Sequence, residues 1–188
     1  MQKVDPFNLP SRPMTVPELQ YWILFTIAVA GKGAKVTEQK MIAFLRDEGR
    51  PLAWPFKIVQ LYIYRDELDK KLKKHKLGKY TLLNKGFRAA LDLDICNLDV
   101  PALQKVPGIG PKGARMIMMY GFPDQKDFAV LDTHVLKWMR AHGYEVPDAT
   151  PSGKQYEKIE HWVIAEARAR NMSPRQFDTW IWQMYARL

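Results

Sequence analysis

The sequence predicts an all-α fold. Apolar side chains recur at helical spacing along most of the chain, no segment alternates between apolar and polar residues as a strand would, and short glycine or proline punctuators separate the periodic segments. The pattern is clearest near the end of the chain, where an i, i+3, i+4, i+7, i+8, i+11 stripe is formed by Phe177, Trp180, Ile181, Met184, Tyr185 and Leu188.

The elements follow in chain order. Residues 1–16 hold three prolines without periodicity and are predicted to form an irregular arm. A first helix starts at Pro17 and stops at Gly31-Lys32-Gly33, because glycine tolerates the left-handed conformation that ends helices. Further helices are predicted over residues 37–48, 54–72, 80–91, 99–105, 111–120, 132–142, 153–170 and 173–187.

Composition narrows the class of protein. The chain has 188 residues, of which 47% are hydrophobic and 26% charged, so a folded, soluble protein is expected. Its net charge, 29 − 20 = +9, favours a polyanionic partner such as nucleic acid or an anionic membrane surface. The membrane alternative needs a basic amphipathic helix with an aromatic face, and the aromatic residues here belong to core stripes.

The single cysteine, Cys96, excludes an internal disulfide, a four-thiolate iron–sulfur cluster and an all-cysteine zinc site. We expect it to be a small, partly buried residue of a reducing compartment. The first residues carry no apolar signal segment and no apolar run reaches the ~18 residues of a spanning helix. A cytoplasmic location is therefore predicted.

Residues 70–76 form the densest positive run. A solvated helix end, where lysines complement the helix dipole, is the favoured interpretation, with a phosphate contact as the alternative.

The most informative segment runs from Leu103 to Arg115, LQKVPGIGPKGAR. A short helix reaches a turn built on Gly108 and Gly110, and Pro111 stands where a first helical residue needs no N–H. This pattern predicts a helix-hairpin-helix, whose open backbone amides bind a phosphate without reading base sequence. The alternative is a tight turn used only for packing.

Twenty residues after Lys112 stands Asp132, in the segment Val130-Leu131-Asp132-Thr133-His134-Val135. Alone, Asp132 would be assigned as a helix cap. Together with the hairpin, it resembles the helix-hairpin-helix (HhH-GPD) DNA glycosylase superfamily. The resemblance implies that Lys112 is the nucleophile of a bifunctional glycosylase and lyase, and that Asp132 is the catalytic aspartate.

The same resemblance implies roles for other residues. Gly108 and Gly110 would contact DNA phosphate, and carbonyls near the hairpin can hold a monovalent cation. Lys105 and His134 are further candidates for a phosphate contact, with a local hydrogen bond at the helix start as the alternative for His134. No other cofactor is expected, and one cysteine cannot build the iron–sulfur cluster of some branches. Two helical subdomains are implied, 17–128 and 1–16 with 129–188, with the active-site cleft between them. The implied partner of this monomer is double-stranded DNA with a damaged base.

Among the cluster-free branches, the chain resembles archaeal-type 8-oxoguanine glycosylases. Ala30-Gly31-Lys32-Gly33 is similar to a segment after the first long helix, where Lys32 would be the wedge that fills the vacated space. Asp178 and Trp182 match an Asp-x-x-x-Trp spacing whose side chains face the flipped base. A solvated carboxylate and a rim tryptophan are the alternative for this pair.

Two departures separate the chain from these branches. Ala28 stands where the archaeal branch has a base-contacting glutamine, and the sequence ends at Leu188 instead of the terminal lysine of a second branch. The remaining alternatives are a glycosylase for another lesion and a non-catalytic helix-hairpin-helix module. Such a module gives no reason for a lysine and an aspartate at this spacing.

Overall fold

The computed structural model describes residues 12–49, 54–123 and 127–185. These residues contain helices and no strand, so the all-α prediction is confirmed for the described part of the chain. The helices are α1 Val16–Val29, α2 Ala34–Leu45, α3 Pro55–Tyr64, α4 Leu68–Lys74, α5 Tyr80–Ala90, α6 Val100–Gln104, α7 Pro111–Gly121, α8 Thr133–Ala141, α9 Gly153–Ala169 and α10 Pro174–Tyr185, with a short 3-10 turn at Asp47–Gly49. None of the described helices is long and apolar enough to cross a membrane.

Two predicted boundaries were wrong. The single helix predicted over 54–72 is two helices, α3 and α4, because Asp66 takes a left-handed φ of 53° that interrupts the helical bonding. The helix predicted over 37–48 starts earlier and ends at Leu45, since Gly33 is its N-cap and a 3-10 turn follows it. Residues 1–11 of the predicted arm and Leu188 of the predicted stripe lie outside the described residues.

From Met14 onward, internal contacts group the chain into two compact units, Met14–Gly110 and Pro111–Leu188. The change of unit therefore falls inside the predicted hairpin. The sequence-based division after residue 128 stays a prediction about subdomains.

Helix α1 forms the centre of the first unit. It is apolar on nearly all sides, and Ile23, Leu24 and Ala28 are fully buried. It packs against α2, α3 and α5, which is the environment that a helix without a polar face requires.

The hairpin turn approaches α1 and α5 closely in this unit. A Cβ on Gly86 would lie 2.4 Å from the carbonyl oxygen of Pro107, and one on Gly108 would lie 2.9 Å from Ile27 Cγ2. Gly108 also has a φ of 95°, which disfavours any side chain. Glycine at these two positions is therefore a packing requirement.

Helices α8, α9 and α10 enclose the core of the second unit. Trp138 is fully buried, meets Phe177 edge-on at 5.0 Å between ring centroids, and lies in one cluster with Tyr156 and Ile181. The predicted stripe of α10 is confirmed at Phe177 and Ile181. It is wrong at Met184, which is 39% exposed, although the next residue of the stripe, Tyr185, packs against the core.

One further expectation from the sequence was wrong, and another was confirmed only in part. Cys96 is exposed, because it lies in a turn after α5 where its N–H bonds to Asp94. In the basic run, Lys71 is buried and its Nζ lies 2.9 Å from Asp47 Oδ2, and Lys74 Nζ lies 2.6 Å from Oδ1. These bonds hold the pKa of Asp47 well below its usual range. Lys71 is therefore held in an internal ion pair, whereas the other lysines of the run, which ends α4, are exposed as predicted.

Candidate active site

The hairpin turn leaves its last glycine open. The N–H of Ile109 donates to the carbonyl of Val106 at 3.0 Å, which closes the turn. Gly110 is exposed, and no heavy atom of another residue lies within 4 Å of the position that its Cβ would take. Lys105, just before the turn, is also exposed. Packing does not explain glycine at 110, whereas an approaching ligand would.

Lys112 lies in the first turn of α7, in the second unit, and is half-buried. Its positive charge lowers the pKa of Asp178 on α10, which places the two side chains within electrostatic reach of each other. Helix α7 therefore positions Lys112 near Asp178, a carboxyl of the last helix.

Asp132 is both a helix cap and a buried carboxyl. It is the N-cap of α8, and its Oδ1 accepts from the backbone N–H groups of His134 and Val135, each at 2.9 Å. Only 8% of Asp132 is exposed. The cap assigned from sequence is therefore present, and it fixes the carboxylate rigidly at the start of a helix.

The second oxygen of Asp132 is held from α10. The indole Nε1 of Trp182 donates to Asp132 Oδ2 at 2.9 Å, and the Trp182 ring meets the His134 ring edge-on at 4.7 Å. Trp182 was predicted to stack on a base, and this role stays a prediction. The geometry adds a different one, because the indole orients the predicted catalytic aspartate.

Asp178 is buried, which rules out the solvated carboxylate considered from sequence. It is 6% exposed, and its Oδ2 accepts from the hydroxyl of Tyr120 at 2.6 Å, while its Oδ1 is buried without a hydrogen-bond partner. The pKa of Asp178 is raised to about 7, mainly by burial. The hydrogen bond from Tyr120 lowers it, and the negative charge of Asp132 acts in the same direction as burial. A buried acceptor without a partner makes Asp178 Oδ1 a candidate to accept from a ligand.

Tyr120 is a site residue that sequence reasoning missed. It stands eight positions after Lys112 on α7 (120 − 112 = 8), so the two share a helix face, and that spacing is the signal that would have found it. Arg175 lies over its ring, with 5.2 Å from the guanidinium carbon to the ring centroid. Burial and the neighbouring Asp178 raise the pKa of the Tyr120 hydroxyl, which therefore stays protonated and donates.

A buried ion pair fixes the segment that precedes Asp132. Arg115 Nε donates to Glu160 Oε2 at 2.7 Å, and Glu160 Oε1 accepts from the Ala129 N–H at 3.0 Å. Arg115, the last residue of the predicted hairpin segment, is thus paired with Glu160.

Tyr156 completes this support. Its hydroxyl accepts from the Leu131 N–H at 3.0 Å and donates to the Ala129 carbonyl at 2.9 Å. The Arg115 guanidinium lies over the Tyr156 ring at 4.2 Å. The residues leading into Asp132 are therefore hydrogen-bonded at Ala129 and Leu131, which holds the carboxylate in place.

The second unit thus contains five of the predicted site residues: Lys112, Asp132, His134, Asp178 and Trp182. Lys32, Lys105, Gly108 and Gly110 belong to the first unit. The Lys32 Nζ donates to the carbonyl of Leu77, and its predicted wedge role stays a prediction.

The raised pKa of Asp178 has a consequence for stability. Between the ordinary value of 3.8 and about 7, the folded protein retains a proton that the unfolded chain has released. The free energy of unfolding therefore falls as the pH rises across this range. Asp178→Asn removes the titration, so its stability relative to the parent should increase between pH 4 and pH 8 by up to about 4 kcal/mol.

Urea unfolding at several pH values measures this difference. Asp148→Asn is the matched control, because the Asp148 side chain is 94% exposed and should show no such trend. The same stability difference for Asp178→Asn at pH 5 and pH 8 would contradict the assignment.

Comparisons with known proteins agree with the resemblance that the sequence predicted. No family model matches the chain. An 8-oxoguanine DNA glycosylase/AP lyase of Thermotoga sp. (strain RQ2) is 39% identical over 61 residues, which are 31% of this chain and 29% of the relative. The enzyme of the same name from Thermotoga maritima is 38% identical over 61 residues. The match thus spans less than a third of the curated relatives.

Solved structures extend the likeness to most of the chain. The 8-oxoguanine DNA glycosylase of Thermotoga maritima has a TM-score of 0.64 at 22% identity, with 90% of this chain and 80% of that chain covered. The Methanocaldococcus jannaschii 8-oxoguanine glycosylase/lyase, in complex with a 15mer DNA containing 8-oxoguanine, has a TM-score of 0.63 at 19% identity, covering 97% and 85%. The predicted resemblance is confirmed, and the chain shares the fold of these solved structures.

Proposed function

We propose that this chain is a bifunctional DNA glycosylase and AP lyase that removes an oxidised purine, 8-oxoguanine, from double-stranded DNA. One observation carries the proposal: Lys112, Asp132 and Asp178 share one electrostatic environment, in which the first two charges both shift the pKa of the third. Such a reaction needs a nucleophile, a carboxylate and a hydrogen-bond acceptor that can recognise the flipped base.

The likeness to known proteins supports the same proposal. The matched relatives carry the name 8-oxoguanine DNA glycosylase/AP lyase, and one neighbouring structure holds DNA with 8-oxoguanine. A non-catalytic DNA-binding module would give no use to a half-buried lysine whose charge reaches a buried carboxyl.

The chemistry begins with a flipped nucleotide, since a base inside the stack is out of reach of an enzyme side chain. Lys112, in its neutral form, attacks C1′ of the deoxyribose, and the bond from C1′ to the base breaks with its electron pair leaving on the base. The base takes up a proton. Asp132, as a carboxylate held by three donors, stabilises the positive charge that develops on the sugar.

The lyase step follows from the covalent product. Loss of the amine proton and opening of the sugar ring give a Schiff base between Lys112 Nζ and C1′. Removal of a proton from C2′ then expels the 3′ phosphate by β-elimination, which cleaves the strand. Neither a metal nor an organic cofactor is needed, because Lys112 supplies the nucleophile.

Asp178 gives the site its preference for 8-oxoguanine. This base carries an N7–H donor, where guanine has only an acceptor. The buried, unpartnered Oδ1 of Asp178 is suited to accept that hydrogen bond, while Tyr120 occupies the other oxygen. Guanine would place an acceptor against a carboxylate and be disfavoured.

Borohydride trapping tests the proposal. The protein is incubated with duplexes that contain 8-oxoguanine, an abasic site, another damaged base or no damage, and covalent adducts are counted. We expect adducts with 8-oxoguanine and with the abasic site. Binding without any adduct would instead identify a non-catalytic module, and adducts only with another damaged base would identify a different lesion.

The open backbone at Gly110 leads to a separate prediction. Gly110→Val adds a side chain where no protein atom lies within 4 Å, so the fold should be retained. The side chain would block an approaching phosphate, so duplex affinity should fall for every sequence, with a salt slope smaller by about 1. Fluorescence anisotropy over a salt series measures both quantities. If affinity and slope stay at the parent values in a folded variant, the hairpin is only a packing turn.

A further inference from the structure

Two loops of the first unit are joined by three lysines. The loops lie between α1 and α2, residues 30–33, and between α4 and α5, residues 75–79. Lys79 Nζ reaches the Ala30 carbonyl at 2.8 Å, and Lys32 Nζ reaches the Leu77 carbonyl in the opposite direction. From α2, Lys40 Nζ donates to the Lys76 carbonyl at 2.9 Å. We call these two loops and three lysines the lysine junction.

The lysine junction concentrates positive charge. Burial lowers the pKa of Lys32, and the repulsion from Lys79 and from Lys40 lowers it further, so the Lys32 ammonium lies close to both of the other two. Their hydrogen-bond partners at the junction are neutral carbonyls. Each such carbonyl uses one of the three donors of an ammonium group.

Another lysine cluster of the same unit shows the contrast. There, Lys71 and Lys74 are neutralised by Asp47, so their charges stabilise the fold. At the lysine junction, the charges that shift Lys32 are those of two lysines and of no carboxylate. Repulsion of this kind costs stability unless an anion relieves it.

Two helix starts add to the same surface. Helices α2 and α5, of 12 and 11 residues, follow the N-cap residues Gly33 and Lys79, and neither has a side-chain hydrogen bond that caps its first turn. Their backbone N–H groups carry the positive end of each helix dipole. Lysine ammonium groups beside uncapped helix starts suit an anion with several phosphate-like oxygens.

We propose that the lysine junction binds phosphodiester groups of the DNA backbone, as a contact separate from the hairpin. The proposal deepens the function proposed above and rests on it for the identity of the polyanion. Two loops that each bring lysines suit successive phosphates of one strand better than a single small anion.

The test uses undamaged duplex DNA and measures binding alone. Lys79→Gln and the triple change Lys32→Gln, Lys40→Gln and Lys79→Gln remove charge, while glutamine can still donate to the loop carbonyls. Each lost phosphate contact should reduce the salt slope by about 0.9. The triple variant should therefore lose about 2 to 3 in slope and bind at least about tenfold more weakly at low salt.

Two matched controls distinguish a specific contact at the lysine junction from a general effect of lost positive charge. Lys57→Gln removes an exposed lysine of the same unit that lies over Trp54, and it should leave the slope within error. Lys79→Arg retains the charge and should bind like the parent. If the triple variant does not fold, the pair Lys79→Gln and Lys79→Arg decides alone, because the Lys79 side chain is exposed.

Several outcomes overturn the proposal. A parent-like salt slope in Lys79→Gln would do so, as would an equal loss in Lys57→Gln. Weaker binding to anionic lipid vesicles with unchanged DNA binding would assign the lysine junction to a membrane surface. Because undamaged DNA is used, the result is independent of catalysis, and trapping at saturating abasic DNA in Lys79→Gln reports on the proposed function separately.

Discussion

Lys112→Gln is expected to abolish the borohydride-trapped adduct and strand cleavage, while duplex binding remains. The amide of glutamine cannot form a Schiff base at C1′, and the substitution is nearly isosteric at a half-buried position. The loss should be on the order of 10³-fold or more in the single-turnover rate, as when other enzymes lose their nucleophile. Quenched-flow cleavage of an abasic duplex measures it.

Lys154→Gln is the control, since it removes an exposed lysine from the first turn of α9 without approaching the site. It should trap DNA like the parent protein. An adduct at the parent level in Lys112→Gln would show that another amine is the nucleophile, and the roles taken from the family would then be wrong.

The second large effect is expected at the base pocket. Asp178→Asn replaces an acceptor oxygen by an amide and should reduce excision of 8-oxoguanine by about 10²-fold, the cost of a buried donor left without its acceptor. Cleavage of a preformed abasic site should change little, since no base is present to be recognised. Because Asp178 has a pKa of about 7, parent excision should also rise as the pH increases through this value.

Trp182→Phe should behave differently, although Trp182 was predicted beside Asp178 on the same pocket wall. The substitution keeps an aromatic ring and removes the hydrogen bond from Nε1 to Asp132 Oδ2. Both base removal and abasic cleavage should therefore slow together, since the indole acts through the aspartate. Single-turnover rates on both substrates decide, and equal losses in Asp178→Asn would assign Asp178 to the fold instead of the base.

The sequence by itself determined most of the helices and pointed to the two residues that we propose to react. Helical periodicity is a local property, so α1 and α10 were predicted within a few residues of their bounds. Lys112 and Asp132 could be found because each belongs to a short motif, a glycine turn before a helix and an aspartate at a helix start. Both motifs deal with the unpaired backbone N–H groups at the start of a helix, and these groups lie within a few residues of the motif.

The tertiary structure alone decided how these groups are surrounded. Tyr120 reaches Asp178 across 58 positions, and Trp182 reaches Asp132 across 50. The burial that raises the pKa of Asp178 depends on the packing of α7 and α10, and the periodicity of the sequence does not reveal it. Periodicity also failed between α3 and α4, where one left-handed residue, Asp66, ends a helix that the apolar pattern would continue. Side-chain spacing reports the face of each helix, whereas the partner across the core is fixed only when the helices pack.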